Sequence, residues 1–220
     1  MTAEVSSVIE EYLEAIYRLQ ERYGVARTGD LVSMLGVSPG TVTNTIERLD
    51  RMLLVVHKPY RGVQLTEEGR RIALNVIRRH RLLERLLVDV LGVEWCKAHE
   101  LACSLEHWIN DNITKKIENI LGSPKKCPHG NPIPTEGGKI PKEDECLLFE
   151  VSVGERVVVS RILEEGHVTL SYLERVGVKP ESLIEIIERS PLNDLITVRV
   201  DGKVHAISRG VTSLIMVRRT

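Results

Sequence analysis

The sequence predicts a mainly α-helical chain with a β C-terminal domain, in the order winged helix-turn-helix, helical middle and small β domain of barrel size. Three observations predict it. Apolar residues recur at helical spacing up to about residue 121. From about residue 147 the period switches to two, the mark of strands. Between them lies GSPKKCPHGNPIPTEGGKIPKED (122–144), dense in Pro, Gly and Lys, which reads as an irregular connector.

The elements follow in order. Ser6 or Ser7 caps a helix over 6–22, with Ile9, Leu13, Ile16, Tyr17 and Leu19 on one face. Thr28 caps a short helix over 28–35 that Gly36 ends. Ser38 caps a third, with Pro39 in the first position, where no N–H is needed, and an inner stripe of Val42, Ile46 and Leu49. LLVVH (53–57) and GVQL (62–65) form a hairpin tipped by KPYR. Thr66 opens a long helix towards Leu91, and a second long helix fits about 94–121. Their stripes (Leu82, Leu83, Leu86, Leu87, Val90; Leu101, Leu105, Ile109, Ile113, Ile117) are too wide for the chain alone to cover, so a partner shares in burying them. Beyond the connector LLFEVSV, RVVVSRI, LIEII, ITVRV, KVHAI and LIMVRR read as strands, and only YLERVG (172–177) as helix.

Composition narrows the function classes. Aromatics are only 4% of the 220 residues, so the cores are built from Leu, Ile and Val. A net charge of -1 argues against attachment to nucleic acid by bulk positive charge and leaves room only for a local basic patch. The four cysteines show no CxxC pairing and write no zinc ribbon. The acidic start MTAEVSSVIEEYLEAIY is not a signal peptide, and no apolar run approaches the ~20 residues that span a bilayer. The expectation is a cytoplasmic protein with reduced thiols and no membrane contact.

Residues 28–65 have the layout of a DNA-reading head. A recognition helix presents short polar side chains at the end that enters the major groove. Thr41, Thr43 and Asn44 lie opposite Val42 and Ile46, while Ser38, Pro39 and Gly40 leave room for close approach to phosphates. Arg48, Arg51, Lys58 and Arg61 supply the local positive surface suited to backbone contacts. An ordinary polar face on a helical bundle is the competing reading, and the hairpin after LGVSPGTVTNTIERL weighs against it.

HELACSLEH (99–107) concentrates metal-competent groups. On a helix His99, Cys103, Glu106 and His107 fall within about a third of the circumference, and Glu100 points elsewhere. His80 and Glu84 form an i,i+4 pair on the preceding helix. Six such groups facing one another across two helices suggest a cation, because burying a carboxylate and a thiol beside Leu101 and Leu105 is costly without one. A metalloenzyme is the rival, with His80 and Glu84 as ligands and Glu106 as base. The sequence has no Gly-rich phosphate loop and no HExxH, and the reading head would be idle in an enzyme. A metal-buffering or interaction protein with a vestigial helix-turn-helix is a third reading.

EEYLEAIYRL, GVSPGTVTNTIERL, RHRLLERLL, AHELACSLEH and CPHGNPIP together resemble the diphtheria-toxin-repressor family of metal-dependent transcriptional repressors, over essentially the whole chain. The resemblance implies a DNA-binding domain over 1–74, a helical dimerisation and metal-binding domain over 75–140, and an SH3-like (FeoA-type) β-barrel over 147–220. It implies no enzyme and no small organic substrate, but a homodimer that binds palindromic double-stranded operator DNA when Fe²⁺ or Mn²⁺ fills two sites per subunit. Its activating site maps to Glu11, Cys103, Glu106 and His107, with the Cys103 carbonyl as a further donor, and its ancillary site to His80, Glu84 and His99. The β domain completes the ancillary site in some members, and here Glu164, Glu165 and His167 are the nearby candidates. Cys127 and His129 fall in the family's connector, which makes them structural. Two departures bear on the metal. The iron branch has Met where this chain has Glu11, whereas the manganese branch has carboxylates there and at Glu14 but Glu in place of Cys103. A thiolate at Cys103 favours Fe²⁺ over the harder Mn²⁺, so iron is expected, with manganese as the alternative.

Overall fold

The structure, a computed structural model, describes residues 6–58, 61–190 and 194–220, so Pro59 and Tyr60 at the expected hairpin tip lie outside the described residues. These residues form two compact units. One comprises the chain up to Arg79 with Pro134–Lys139, the other His80–Ile133 with Ile140–Thr220.

In the first unit α1 (Ser7–Tyr23), α2 (Thr28–Leu35) and α3 (Pro39–Arg51) precede a hairpin of β1 (Val55–Lys58) and β2 (Gly62–Leu65), after which α4 (Glu67–Arg85) begins. The caps differ in part from expectation. Ser6 stands at the N-cap of α1 without a side-chain bond, and Thr28 is the first residue of α2 rather than its cap, which is Arg27. Ser38 does cap α3, accepting from the Thr41 amide at 3.2 Å, and Val42, Ile46 and Leu49 are buried beneath it. The hairpin is held at both ends. Asp50 Oδ1 accepts from the His57 amide at 3.0 Å, and the Thr66 hydroxyl donates to the Leu53 carbonyl at 2.8 Å. Gly69 must lack a side chain, since a Cβ there would sit 2.0 Å from the Leu54 carbonyl oxygen. From the other side Ala26 bridges to Val63, and Gln20 Oε1 of α1 accepts from the Leu65 amide at 2.9 Å. Strand β2 is thereby joined to the segment between α1 and α2 through backbone, and to α1 itself through the Gln20 side chain.

In the second unit both long helices depart from expectation. Helix α4 ends at Arg85, a π-helical turn follows over Leu86–Val90, and Gly92 reverses the chain at φ 68°. The single helix expected over about 94–121 is four pieces: a 3₁₀ turn (Trp95–Lys97), α5 (Ala98–Leu105), a second 3₁₀ turn (Glu106–Trp108) and α6 (Asp111–Ile120). Asn110 is the physical reason. Its side chain accepts from the Ile113 amide at 3.1 Å while its backbone is extended (φ -87°, ψ 170°), so it caps a new helix instead of continuing the old one.

The β segment comprises β3 (Cys146–Leu147), β4 (Arg156–Ile162), α7 (His167–Arg175), β5 (Leu183–Arg189), β6 (Leu195–Val200), β7 (Lys203–Ser208), α8 (Arg209–Thr212) and β8 (Ile215–Arg219). Its antiparallel order is β3-β8-β4-β5-β6-β7, an open six-stranded sheet with β3 and β7 at the edges rather than a closed barrel. LLFEVSV is strand only at its start, because Leu148–Glu150 turns into a 3₁₀ helix that buries Leu148. The expected helix at YLERVG starts earlier, at His167, and α8 is a helix that the sequence does not announce. The core of this sheet includes Ile162, Leu170, Leu173 and Ile184, together with Trp95 and Cys96 from the helical segment. No helix among the described residues is long and apolar enough to cross a membrane.

The Gln20 contact makes a prediction for the first unit. Gln20→Leu strands a partly buried amide and is expected to lower stability by about 1 kcal/mol, with faster hydrogen exchange at the Leu65 amide. Gln20→Glu keeps the acceptor and should leave that amide protected.

Candidate metal centre and nucleic-acid face

The metal-competent side chains of the second unit meet where four chain segments converge. Helix α4 contributes His80 and Glu84, one turn apart and both fully buried. Helix α5 with the 3₁₀ turn after it contributes His99, Cys103 and Glu106. The third segment is the connector, whose expected role is purely structural. It docks on β4: the Ile162 amide donates to the His129 carbonyl at 2.9 Å, and Asn131 Nδ2 donates to the Ile162 carbonyl at 2.8 Å. Gly130 permits this approach. Its φ is +87°, and a Cβ there would lie 2.1 Å from the Ser160 carbonyl oxygen. Docking buries Cys127 and His129 and brings the chain just beyond β4, with Glu165, against them.

Glu84 is at the centre. Its Oε1 lies 3.0 Å from His80 Nε2, 3.3 Å from His99 Nδ1 and 3.1 Å from His129 Nδ1. Glu165 faces it, with Oε1 accepting from Asn131 at 2.8 Å and lying 3.4 Å from His129 Nδ1, and with Oε2 3.6 Å from His99 Nδ1. Cys127 Sγ is 3.8 Å from Glu165 Oε1. On the far side of the two α4–α5 imidazoles, His80 Nδ1 meets Glu106 Oε2 at 2.7 Å, and Cys103 Sγ lies 3.7 Å from His99 Nε2. Glu106 in turn lies 3.4 Å from His107 Nε2.

The electrostatics follow from burial and mutual pairing. Burial opposes charge on His80, yet the Glu84 carboxylate and hydrogen bonds to Cys103, Glu106 and Glu84 hold its pKa well above the usual range. Burial likewise works against ionised Glu84, but the charge of His80 and hydrogen bonds from three imidazoles hold it well below. His99 is raised to about 9 against its own burial, by Cys103, Glu84 and Glu165. Cys103 is an exposed residue whose thiol turns towards His80 and His99; the partial loss of water there raises the thiol, but the two imidazoles bring it down to about 7. Burial, with the carboxylates beside it, pushes Cys127 up to about 11. Without a metal the cluster is therefore held together by protons that the imidazoles share with carboxylates.

The donor set suits a divalent cation. Among the described residues three groups of ligand atoms each lie within 4.8 Å of one another: His80, His99 and Cys103; His80, Glu84, His99 and Glu165; and Glu84, Cys127, His129 and Glu165. Separations near 3.0–3.6 Å match the edges of a coordination shell with bonds of about 2.1 Å. Glu84 Oε2 is buried with no hydrogen-bond partner, a costly state that a cation would relieve.

Of the residues expected from the sequence, His80, Glu84 and His99 converge, and Glu165 joins them whereas Glu164 is exposed. His167 Nδ1 instead meets the Cys96 carbonyl at 3.2 Å. Cys103, Glu106 and His107 lie beyond His80 and His99, and Cys103 is exposed rather than buried. Leu101 and Leu105, expected to flank a buried site, are also exposed. Glu11 is exposed on α1 in the first unit, and Glu14 is buried against Arg18, its oxygen 2.7 Å from the guanidinium. Sequence reasoning misses Cys127 and His129 as members of a cluster. Their signal is Pro, Gly and Asn around a Cys–x–His pair, which fixes a conformation but not where the segment docks. On the first unit Ser38, Pro39, Thr41, Thr43, Asn44, Arg48, Arg51, Lys58 and Arg61 are all exposed, along α3 and the hairpin. Thr43 donates its hydroxyl to the Pro39 carbonyl at 3.0 Å, which leaves its oxygen lone pairs outward.

Comparison with known proteins gives three family matches. Residues 4–63 match the iron dependent repressor N-terminal DNA binding domain, residues 66–135 its metal binding and dimerisation domain, and residues 146–219 the FeoA domain. The iron-dependent repressor IdeR of Mycobacterium tuberculosis is 34% identical over 195 residues, 83% of this chain and 85% of that protein. A manganese-dependent transcriptional repressor solved in complex with manganese superposes with a TM-score of 0.88 at 32% identity, over 96% of this chain and 100% of the other. The IdeR of T. acidophilum gives a TM-score of 0.83 at 29% identity, over 99% of each chain.

The charge arrangement sets a pH dependence for cation binding. A metal must displace protons from the imidazoles and the Cys103 thiol, so affinity is expected to rise with pH through the window from about 7 to about 9 given by Cys103 and His99. Zn²⁺ titration calorimetry in buffers of different protonation enthalpy would measure the protons released. A flat affinity with no proton release would contradict it.

Proposed function

This chain belongs to the iron-dependent repressor family and is a metal-responsive transcriptional repressor, and on that premise we propose that Fe²⁺ drives it, as a homodimer, onto palindromic operator DNA. We assign DNA reading to residues 1–74, metal binding and dimerisation to 75–140, and completion of the metal site to the β domain over 147–220. The observation that carries the metal reading is the buried cluster around Glu84, whose Oε2 has no partner.

We assign two metal positions. Glu84, Cys127, His129 and Glu165 supply one buried donor group, to which His80 and His99 also turn nitrogens. To the second, activating set we assign Cys103, Glu106 and His107, with Glu11. When bound, the cation supplies positive charge that neutralises clustered carboxylates and thiolates. Without it Glu11, Glu106 and the Cys103 thiolate repel one another, and α1 gains nothing by joining the other three. With it, these side chains hold α1 in one position and set the reading heads at operator spacing. The exposed apolar side chains Leu91, Leu101, Leu105, Trp108, Ile113 and Ile120 favour a second copy as the partner, with Trp108 84% exposed in the single chain. The thiols at Cys103 and Cys127 favour iron. Manganese is the second reading, supported by the carboxylates at Glu11, Glu84 and Glu165.

Operator affinity should rise on anaerobic loading with Fe²⁺, and more than with Mn²⁺; equal affinity with and without metal would sink the proposal. Cys103→Ala is expected to abolish the metal response while the dimer persists in sedimentation. His80→Ala should weaken metal binding without removing every response. Duplex binding should also weaken with salt, because Arg48, Arg51 and Arg61 release counterions from phosphates.

A further inference from the structure

The connector passes from one compact unit to the other between Ile133 and Pro134, and a closed turn stands on each side of that step. On the side of the second unit, residues 125–133 fold back on themselves. The Cys127 amide donates to the Asn131 carbonyl at 2.9 Å, the Gly130 amide to the Cys127 carbonyl at 3.0 Å, and the Ile133 amide to the Lys125 carbonyl at 2.8 Å. This turn carries Cys127 and His129 into the buried group around Glu84. On the side of the first unit a second turn spans Thr135 to Lys139. The Thr135 amide donates to the Lys139 carbonyl at 3.0 Å, and the Gly138 amide to the Thr135 carbonyl at 2.9 Å. Gly138 rests on α4, since a Cβ there would lie 3.5 Å from Leu74 Cδ1.

The step between the turns is stiff. Pro132 and Pro134 fix their own φ and disfavour helical backbone at Asn131 and Ile133. Two buried guanidiniums of α4, three residues apart and so on one face, grip the step from either side. Arg81 Nη1 donates to the Pro132 carbonyl, and Arg78 Nη1 to the Pro134 carbonyl at 3.2 Å. Ile133 between them is buried in a core with Leu82, Leu83 and Ile117. No slack residue remains to absorb a movement of either turn. We propose that the two turns open and close as one, so that a cation held by Cys127 and His129 also fastens residues 134–139 in the unit that carries the reading head. This rests on the metal reading above, and it makes the connector a route from the buried group to the first unit. Any opening that must release the cation is suppressed by mass action, and the suppression extends to every residue that opens with it.

The test is amide hydrogen exchange on the full chain, with free Zn²⁺ buffered at about 100 times its Kd. Openings that release the ion are then slowed about 100-fold. That slowing is expected at Cys127, Gly130 and Ile133 and, equally, at Thr135 and Gly138, while the Leu65 amide on β2 keeps its rate. Slowing confined to Cys127, Gly130 and Ile133 would overturn the coupling and leave the metal reading standing. Equal slowing at Leu65 would show stabilisation of the whole chain and overturn the coupling too, whereas no slowing at any of these amides would overturn both. Two glycines inserted between Ile133 and Pro134 leave the bonds within each turn possible but loosen the step. The slowing should then survive at Cys127 and vanish at Gly138. Arg78→Met releases one grip at unchanged chain length, and the slowing at Gly138 should shrink about ten-fold, the worth of one such hydrogen bond. An undiminished response at Gly138 in either variant would overturn the proposal.

Discussion

Everything distinctive in the second unit depends on keeping one carboxylate charged while fully buried. Glu84 is out of contact with water, and three imidazoles from three chain segments converge on its Oε1. Isolated, such a charge would cost several kcal/mol, and pairing is the only remedy short of protonation. The pairing dictates the architecture. Helix α4 must present its His80–Glu84 face to α5, the connector must reach His129 inwards, and the turn after β4 must deliver Glu165. His80, His129 and Glu165 are polar and buried in their turn, so removing one strands the next.

This interdependence explains how far the sequence can be read. The reading head is legible because its logic is local. Ser38 and Pro39 mark the start of α3, Gly36 the end of α2, and alternation marks the hairpin. The i,i+4 pair His80–Glu84 and the β4 run RVVVSRI are legible for the same reason. Leu82 and Ile117 are buried as their helical stripes predict.

What stays hidden is set by contacts distant in sequence. His129 meets Glu84 across 45 positions, and Asn131 meets Glu165 across 34. Nothing in CPHGNP states which surface it docks against, so its Pro and Gly look like ordinary loop chemistry. The break at Asn110 is hidden for a different reason. Asn110–Asp111 is a sound cap signal, but the apolar spacing of Leu105, Ile109 and Ile113 runs straight through it, and the periodic pattern outweighs the local one. The barrel expected from resemblance is an open sheet here, with β3, cut to two residues by the turn at Leu148–Glu150, at one edge.

The connector has a consequence for how this molecule can be cut. A stretch so rich in Pro, Gly and Lys invites truncation there, with the β domain treated as a detachable module. Yet Gly130 rests against the Ser160 carbonyl, Trp95 and Cys96 belong to the sheet's core, and the Trp95 indole N–H donates to the Pro128 carbonyl at 2.9 Å. A chain ending near residue 140 would expose Trp95, Cys96 and His129 to solvent and leave Glu84 without Glu165 opposite. The helical and β segments of the second unit are separable along the sequence but not in material terms, and the seam between them lies inside the site itself.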